Sequence, residues 1–157
     1  MQTLKCFLIS FSVAVFLFGC DSSDKTPTNK IEVIVTAPIL DEPSILNASG
    51  LNPVRKYELE DGHGFYMQES PDASIEFRTS PDRINLSLRT FPESEFKEKN
   101  DMAKNIVSKL AAVITGTDGK LIDGALSGEV KTGKTVINGL PVNVSVAENS
   151  LLVTINK

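Results

Sequence analysis

The chain has 157 residues, 41% of them hydrophobic and 23% charged, enough for one domain with a real core and too few for two comfortable ones. Its formal net charge of −4 argues against nucleic acid and anionic lipid surfaces as partners, because both select basic faces. Trp is absent and aromatic residues make up 6%, which leaves little material for base- or sugar-stacking platforms.

The front of the chain stands apart. Lys5 is the only charge before Asp21, and the run from Cys6 to Phe18 is apolar except for Ser10 and Ser12. At a rise of about 1.5 Å per residue, a helix over that run covers roughly 20 Å, short of a bilayer core of about 30 Å. A positive start, a short apolar run and a small residue before a cut describe a secretory signal rather than a spanning helix. The run ends in Leu17-Phe18-Gly19-Cys20, which resembles the lipobox of bacterial lipoproteins. In that family a diacylglyceryl group is joined to the Cys thiol, and a dedicated peptidase then cuts just before it.

The resemblance implies that residues 1–19 are removed between Gly19 and Cys20, that Cys20 is acylated, and that a lipid bilayer is the first partner. Phe18 is bulkier than the residue usual at its position. Proteins of this class carry several acyl chains, and several chains anchor stably where one does not. In enterobacterial lipoproteins an Asp directly after the lipidated Cys retains the protein in the inner membrane. Asp21 therefore implies the periplasmic face of the inner membrane, with the outer membrane as the alternative. With Cys6 in the signal and Cys20 acylated, the folded part has no free thiol, which excludes disulfides, thiolate catalysis and Cys-bound zinc.

Residues 20–30 contain no large apolar side chain after the Cys and read as a flexible tether. Residues 31–157 then form a single globular domain. Ile31 to Thr36 is β-branched and predicts a strand, and residues 38–53, with three prolines and Gly50, predict a long loop. Val54 to Glu60 and Phe65 to Glu69 predict two strands joined by a turn at Asp61-Gly62-His63-Gly64. Ala73 to Thr79 and Arg83 to Thr90 alternate apolar with polar residues and predict two more strands, joined at Ser80-Pro81-Asp82.

Pro92 to Ile114 places Phe96, Ala103, Ile106, Val107, Leu110 and Ile114 on one face at helical spacing, with Gly116 as the stop. A Gly- and Asp-rich connector leads to the strongest hairpin signal in the chain, Thr135 to Ile137, Asn138-Gly139, and Val142 to Val146. Leu151 to Ile155 is a final strand. The sequence thus predicts an α+β domain: an antiparallel β-meander, one amphipathic helix at about 92–114, and a second antiparallel meander packed into one sheet-and-helix unit.

The chemistry-bearing motifs are few. Gly128 to Thr135 fits the P-loop spacing with Gly133-Lys134-Thr135, but the residues that follow read as a strand and a turn, and phosphate binding requires a helix there. No nucleotide is expected. His63 is the only histidine, with Glu58, Glu60 and Asp61 near it in sequence, and turn chemistry explains it better than a metal or a general base. Asp118, Asp123 and Glu129 lack EF-hand spacing and read as solvated turn acids. No serine sits in a G-x-S-x-G elbow.

The motifs of residues 31–157 carry no resemblance to a globular family. With no catalytic residue, metal or cofactor indicated, the expected function is non-enzymatic: a membrane-anchored envelope lipoprotein whose domain binds, inhibits or helps assemble another envelope component, most simply a protein. The alternative is a small periplasmic hydrolase or metal-dependent enzyme using His63 with the nearby carboxylates.

Overall fold

A computed structural model describes residues 36–157 of the chain. The expected signal peptide with Gly19, the expected lipidation and sorting residues Cys20 and Asp21, the expected tether and residues 31–35 of the first expected strand lie outside the described residues. Thr36, the last residue of that expected strand, is described and belongs to no strand.

The region from 38 to 53 is not all loop. It contains α1, Glu42–Ser49, and the residues that argue for a loop serve as its ends. Asp41 caps it, its Oδ1 accepting from Ser44 N at 3.0 Å, Pro43 sits in the first turn, and Gly50 closes it in a left-handed conformation at φ 59°. Only Ile45 and Ser49 of this short helix are buried, too few for a helical period to stand out in the sequence.

The first meander is β1 (Arg55–Leu59), β2 (Gly62–Gln68), β3 (Ala73–Thr79) and β4 (Asp82–Arg89). β2 starts earlier than Phe65, so Gly62, His63 and Gly64 are strand residues and the turn is Glu60-Asp61. A single 3₁₀ turn, Ser94–Phe96, precedes the long helix α2, Lys97–Thr115. α2 begins later than Pro92 because Asn100 binds the segment before it. Its side chain donates to Phe91 O at 2.6 Å and accepts from Phe91 N at 3.1 Å, which holds Phe91 outside the helix. α2 buries Ala103, Val107, Leu110, Ala111 and Ile114 and stops at Gly116, as its periodicity predicts.

The Gly- and Asp-rich connector contains one more helix, α3, Lys120–Ser127, bounded by left-handed Gly119 and Gly128. It buries Leu121, Ile122 and Ala125. With Gly124 inside it and glycines at both ends, its propensity is low, and tertiary burial rather than local preference forms it. The second meander follows as β5 (Gly133–Ile137), β6 (Leu140–Ala147) and β7 (Ser150–Asn156).

The two meanders form one seven-stranded antiparallel sheet in the order β1-β2-β3-β4-β7-β6-β5, joined where β4 pairs with β7. The α+β class and the two-meander layout agree with the sequence, with α1 and α3 added to the expected helix.

The register decides which residues share a face. Phe65, Ile75, Leu86, Val153 and Val144 stand opposite one another across β2, β3, β4, β7 and β6, and all five are buried. α2 lies over β3 and β4, α3 over β6, and α1 packs on α2, so the core sits between the helices and this face. The opposite face carries no helix among the described residues.

Candidate functional site

Alternation along each strand puts the intervening residues on the open face. One row crosses all seven strands: Tyr57, Gly64, Glu76, Asn85, Thr154, Asn143 and Lys134, in sheet order. The neighbouring row is Arg55, Tyr66, Ser74, Ser87, Leu152 and Ser145. The face is therefore built mainly of hydroxyl and amide groups around one carboxylate, Glu76, with Leu152 among them and Arg55 and Lys134 on the edge strands. This is the solvent face of a half-buried antiparallel sheet, and its side chains are ordered by contacts with one another.

Glu76 is the centre of that order. Its Oε1 accepts from the Tyr57 hydroxyl at 3.2 Å, and its Oε2 accepts from Asn85 Nδ2 at 3.0 Å. Arg78 Nη1 adds a longer contact to Oε2 at 3.4 Å, and Arg78 Nη2 forms an ion pair with Asp61 Oδ1 at 2.5 Å that lacks hydrogen-bond alignment. Gly64 makes the Tyr57 contact possible. It stands between Tyr57 and Glu76 in the register, and a β-carbon there would collide with the Tyr57 ring. The ring instead lies over the glycine and reaches the next strand. Tyr57 also stacks on Tyr66, with centroids 4.8 Å apart, and the Arg55 guanidinium sits 4.5 Å from the Tyr66 ring centre. Burial, and then the charge of Glu76, pushes the Tyr57 phenol up to about 12.

Beside this cluster the face dips into a hollow of about 290 Å³, edged by Tyr57, Tyr66, Ser74, Glu76, Ser87 and Leu152. Asn85 is buried, and its Oδ1 has no hydrogen-bond partner among the described residues. The arrangement offers donors, acceptors and two aromatic edges on a rigid surface. It presents no nucleophile paired with a base.

His63 occupies the other face. Its Nε2 donates to Glu42 Oε2 at 2.6 Å, and its ring lies against Phe65 and Phe77, with centroids 5.4 and 5.8 Å away. The carboxylate beside it in space is thus Glu42 of α1 rather than Asp61, which pairs with Arg78. Glu58 is its cross-strand neighbour in the register, with its own contact to Lys56 at 3.2 Å. The turn chemistry expected of His63 gives way to a strand residue that fastens α1 to the sheet.

No family model matches the chain, and neither the curated proteins nor the solved structures contain a significant match to it.

The remaining motif residues are dispersed. Asp118 pairs with Lys120 at 2.8 Å and Asp123 with Lys104 at 2.8 Å, while Glu129 follows α3. Among the described residues no three His, Cys, Asp or Glu side chains gather as metal ligands would. In the P-loop-like stretch, Gly128 closes α3 and Gly133 opens β5, so the order is helix, loop, strand. That reverses the strand, loop, helix order in which backbone amides converge on a phosphate. Sequence reading did not find the Glu76 cluster. Its signal was present in the alternation of β3 and β4 and in Gly64, but cross-strand pairing is needed to bring Tyr57, Glu76 and Asn85 into one row.

Proposed function

We propose that this protein is a lipid-anchored bacterial envelope protein, held through Cys20 with Asp21 retaining it at the inner membrane, whose domain is a non-enzymatic binding module. The open face of the sheet is its docking surface, and the partner is another envelope protein presenting a neutral polar segment. The observation that carries this reading is the row from Tyr57 to Asn143, an ordered set of hydroxyl, carboxylate and amide groups spanning six strands with nothing over it among the described residues. Such a surface satisfies a partner's hydrogen-bonding groups without ordering long side chains on binding, which lowers the entropic cost of association. The domain's reach suits the role, since a tether of residues 20–30 keeps it near the membrane that holds the partner.

The test uses the full-length protein in its own membrane, with a photo-reactive residue placed at Ser87 or Thr154 on the open face, or at Met102 on the exposed side of α2. The reading expects a discrete crosslinked protein from Ser87 and Thr154, absent from Met102 and lost when Asn143→Arg is added. Crosslinks from Met102 alone, or none from the open face, overturn it.

A further inference from the structure

One side chain fastens the β5–β6 turn to the rest of the domain. Asn138 Nδ2 donates to Thr115 O and to Thr36 O, both at 3.0 Å, and Thr36 N in turn donates to Gly116 O at 3.1 Å. The hairpin turn, the end of α2 and residue 36 are thus tied at one point. Among the described residues, the two Asn138 bonds are the only side-chain hydrogen bonds or ion pairs that residues 133–147 make. Gly116 has φ 65°, and a β-carbon there would collide with the Thr36 carbonyl and crowd Asn138 Nδ2, so the tie is closely packed. Both hydrogens of the amide are in use. A carboxylate in the same place would have no hydrogen to donate. It would also set a negative charge against two carbonyl oxygens and against the C-terminal end of α2, which carries partial negative charge.

The residue that makes this tie is also the one asparagine of the chain that is followed by glycine. Asn138 and Gly139 both have positive φ, 48° and 82°, the type I′ pattern of a two-residue hairpin. Both residues are exposed, and a β-carbon placed on Gly139 would meet no atom within 4 Å. The Gly139 nitrogen therefore has no side chain crowding it, and water reaches the Asn138 carboxamide.

We propose that Asn138-Gly139 is a modification site at which this tie is cut chemically, by loss of the side-chain amide to water. The Gly139 nitrogen attacks Asn138 Cγ, the Cγ–Nδ2 bond breaks, and Nδ2 leaves as ammonia with the proton from Gly139. The five-membered imide so formed adds one water at either of its carbonyls. One opening gives aspartate, and the other gives isoaspartate, whose backbone runs through the former side chain. The balance is one water taken up and one ammonia released, with no oxidant or reductant. Either product has lost both donors. Isoaspartate also lengthens a two-residue loop by one backbone carbon, which the type I′ geometry does not accommodate. The tie itself slows the reaction. While Nδ2 bonds two carbonyls the carboxamide is held, so conversion waits on local opening of the turn. The inference does not depend on the binding reading above.

Ageing the full-length protein in detergent at mildly alkaline pH tests it, beside a sample unfolded in guanidinium. Peptide mapping by mass spectrometry should find aspartate and isoaspartate at position 138 ahead of conversion at any other asparagine. The unfolded sample should convert about tenfold faster or more. The Thr36 amide, followed by hydrogen exchange, should lose about tenfold in protection in the converted fraction and in Asn138→Asp. Asn138→Gly keeps the turn without adding charge, and its loss at Thr36 should be smaller. The unaltered protein carries the test even where Asn138→Asp fails to fold, because its converted and unconverted fractions separate by charge. Equal rates in folded and unfolded samples overturn the proposal, as does earlier conversion at another asparagine. Unchanged protection of the Thr36 amide in the converted fraction overturns it as well.

Discussion

The hydroxyl of Tyr57 donates to Glu76 Oε1 at 3.2 Å from two strands away, over the bare backbone of Gly64. That relationship makes Gly64→Ala a larger change than one methyl suggests. The added carbon displaces the Tyr57 ring, breaks the bond to Glu76 and disturbs the stacking on Tyr66, at a cost of about 1–3 kcal/mol as overpacking. Denaturant unfolding should show the loss, and Gly64→Ala with Tyr57→Ser should recover part of it by making room.

The same contact sets a pH dependence. Tyr57 is raised from 10.0 to about 12 in the folded protein, by burial first and Glu76 second. The folded state therefore holds the phenolic proton more tightly than the unfolded chain. The resulting stability is fully present below pH 10 and drains away as pH rises from 10 to 12. Tyr57→Phe should flatten that part of the stability profile, and a phenolate absorbance titration should lose its latest-titrating tyrosine. An unchanged profile would mean that Tyr57 is solvated in the folded state.

His63 is a fastener in this structure, so His63→Ala should loosen α1 rather than remove a function. Loss of a partly exposed hydrogen bond to Glu42 costs about 0.5–1.5 kcal/mol, and cleavage near α1 by a protease should become faster. Crosslinking from Ser87 should be unaffected. If His63→Ala abolished the biological phenotype at unchanged protein levels, the result would favour the hydrolase alternative.

Much of this fold is legible in the sequence because the strands alternate cleanly. Ile75 and Phe77, then Ile84, Leu86 and Leu88, announce one buried face, and Asn138-Gly139 announces the hairpin. α1 and α3 are not legible for a common reason: each has eight residues and is bounded by Gly or Pro. Those residues act as caps in three dimensions but read as breakers along the chain. His63 was misjudged because glycine on both sides suits a turn, whereas here Gly64 clears space for Tyr57. The open-face cluster depends on register between strands, and that information lies in pairs of residues up to 19 positions apart.

The face assignment itself is open to a direct comparison. Leu86 is fully buried under α2 and Leu152 is 41% exposed on the open face, although both sit in the middle of central strands. Leu86→Ala should cost about 2–5 kcal/mol, since the cavity cannot collapse between sheet and helix. Leu152→Ala should stay within about 0.5 kcal/mol. Equal losses at the two positions would mean that something covers both faces.

The proposed lipid anchor is open to a direct measurement. Cys20→Ser removes the thiol that acylation requires, so radiolabelled palmitate should no longer enter the protein, and the uncleaved precursor should accumulate. Asp21→Ser should leave acylation intact and move the protein from inner- to outer-membrane fractions on a density gradient. The two variants separate the anchor from its address: the first abolishes labelling, whereas the second only redistributes it. Labelling that persists in Cys20→Ser would place the lipid elsewhere and remove the basis for the envelope reading. A Cys20→Ser protein that is exported and folded should still bind through the open face, with lower apparent affinity, because the tether no longer concentrates it beside its partner.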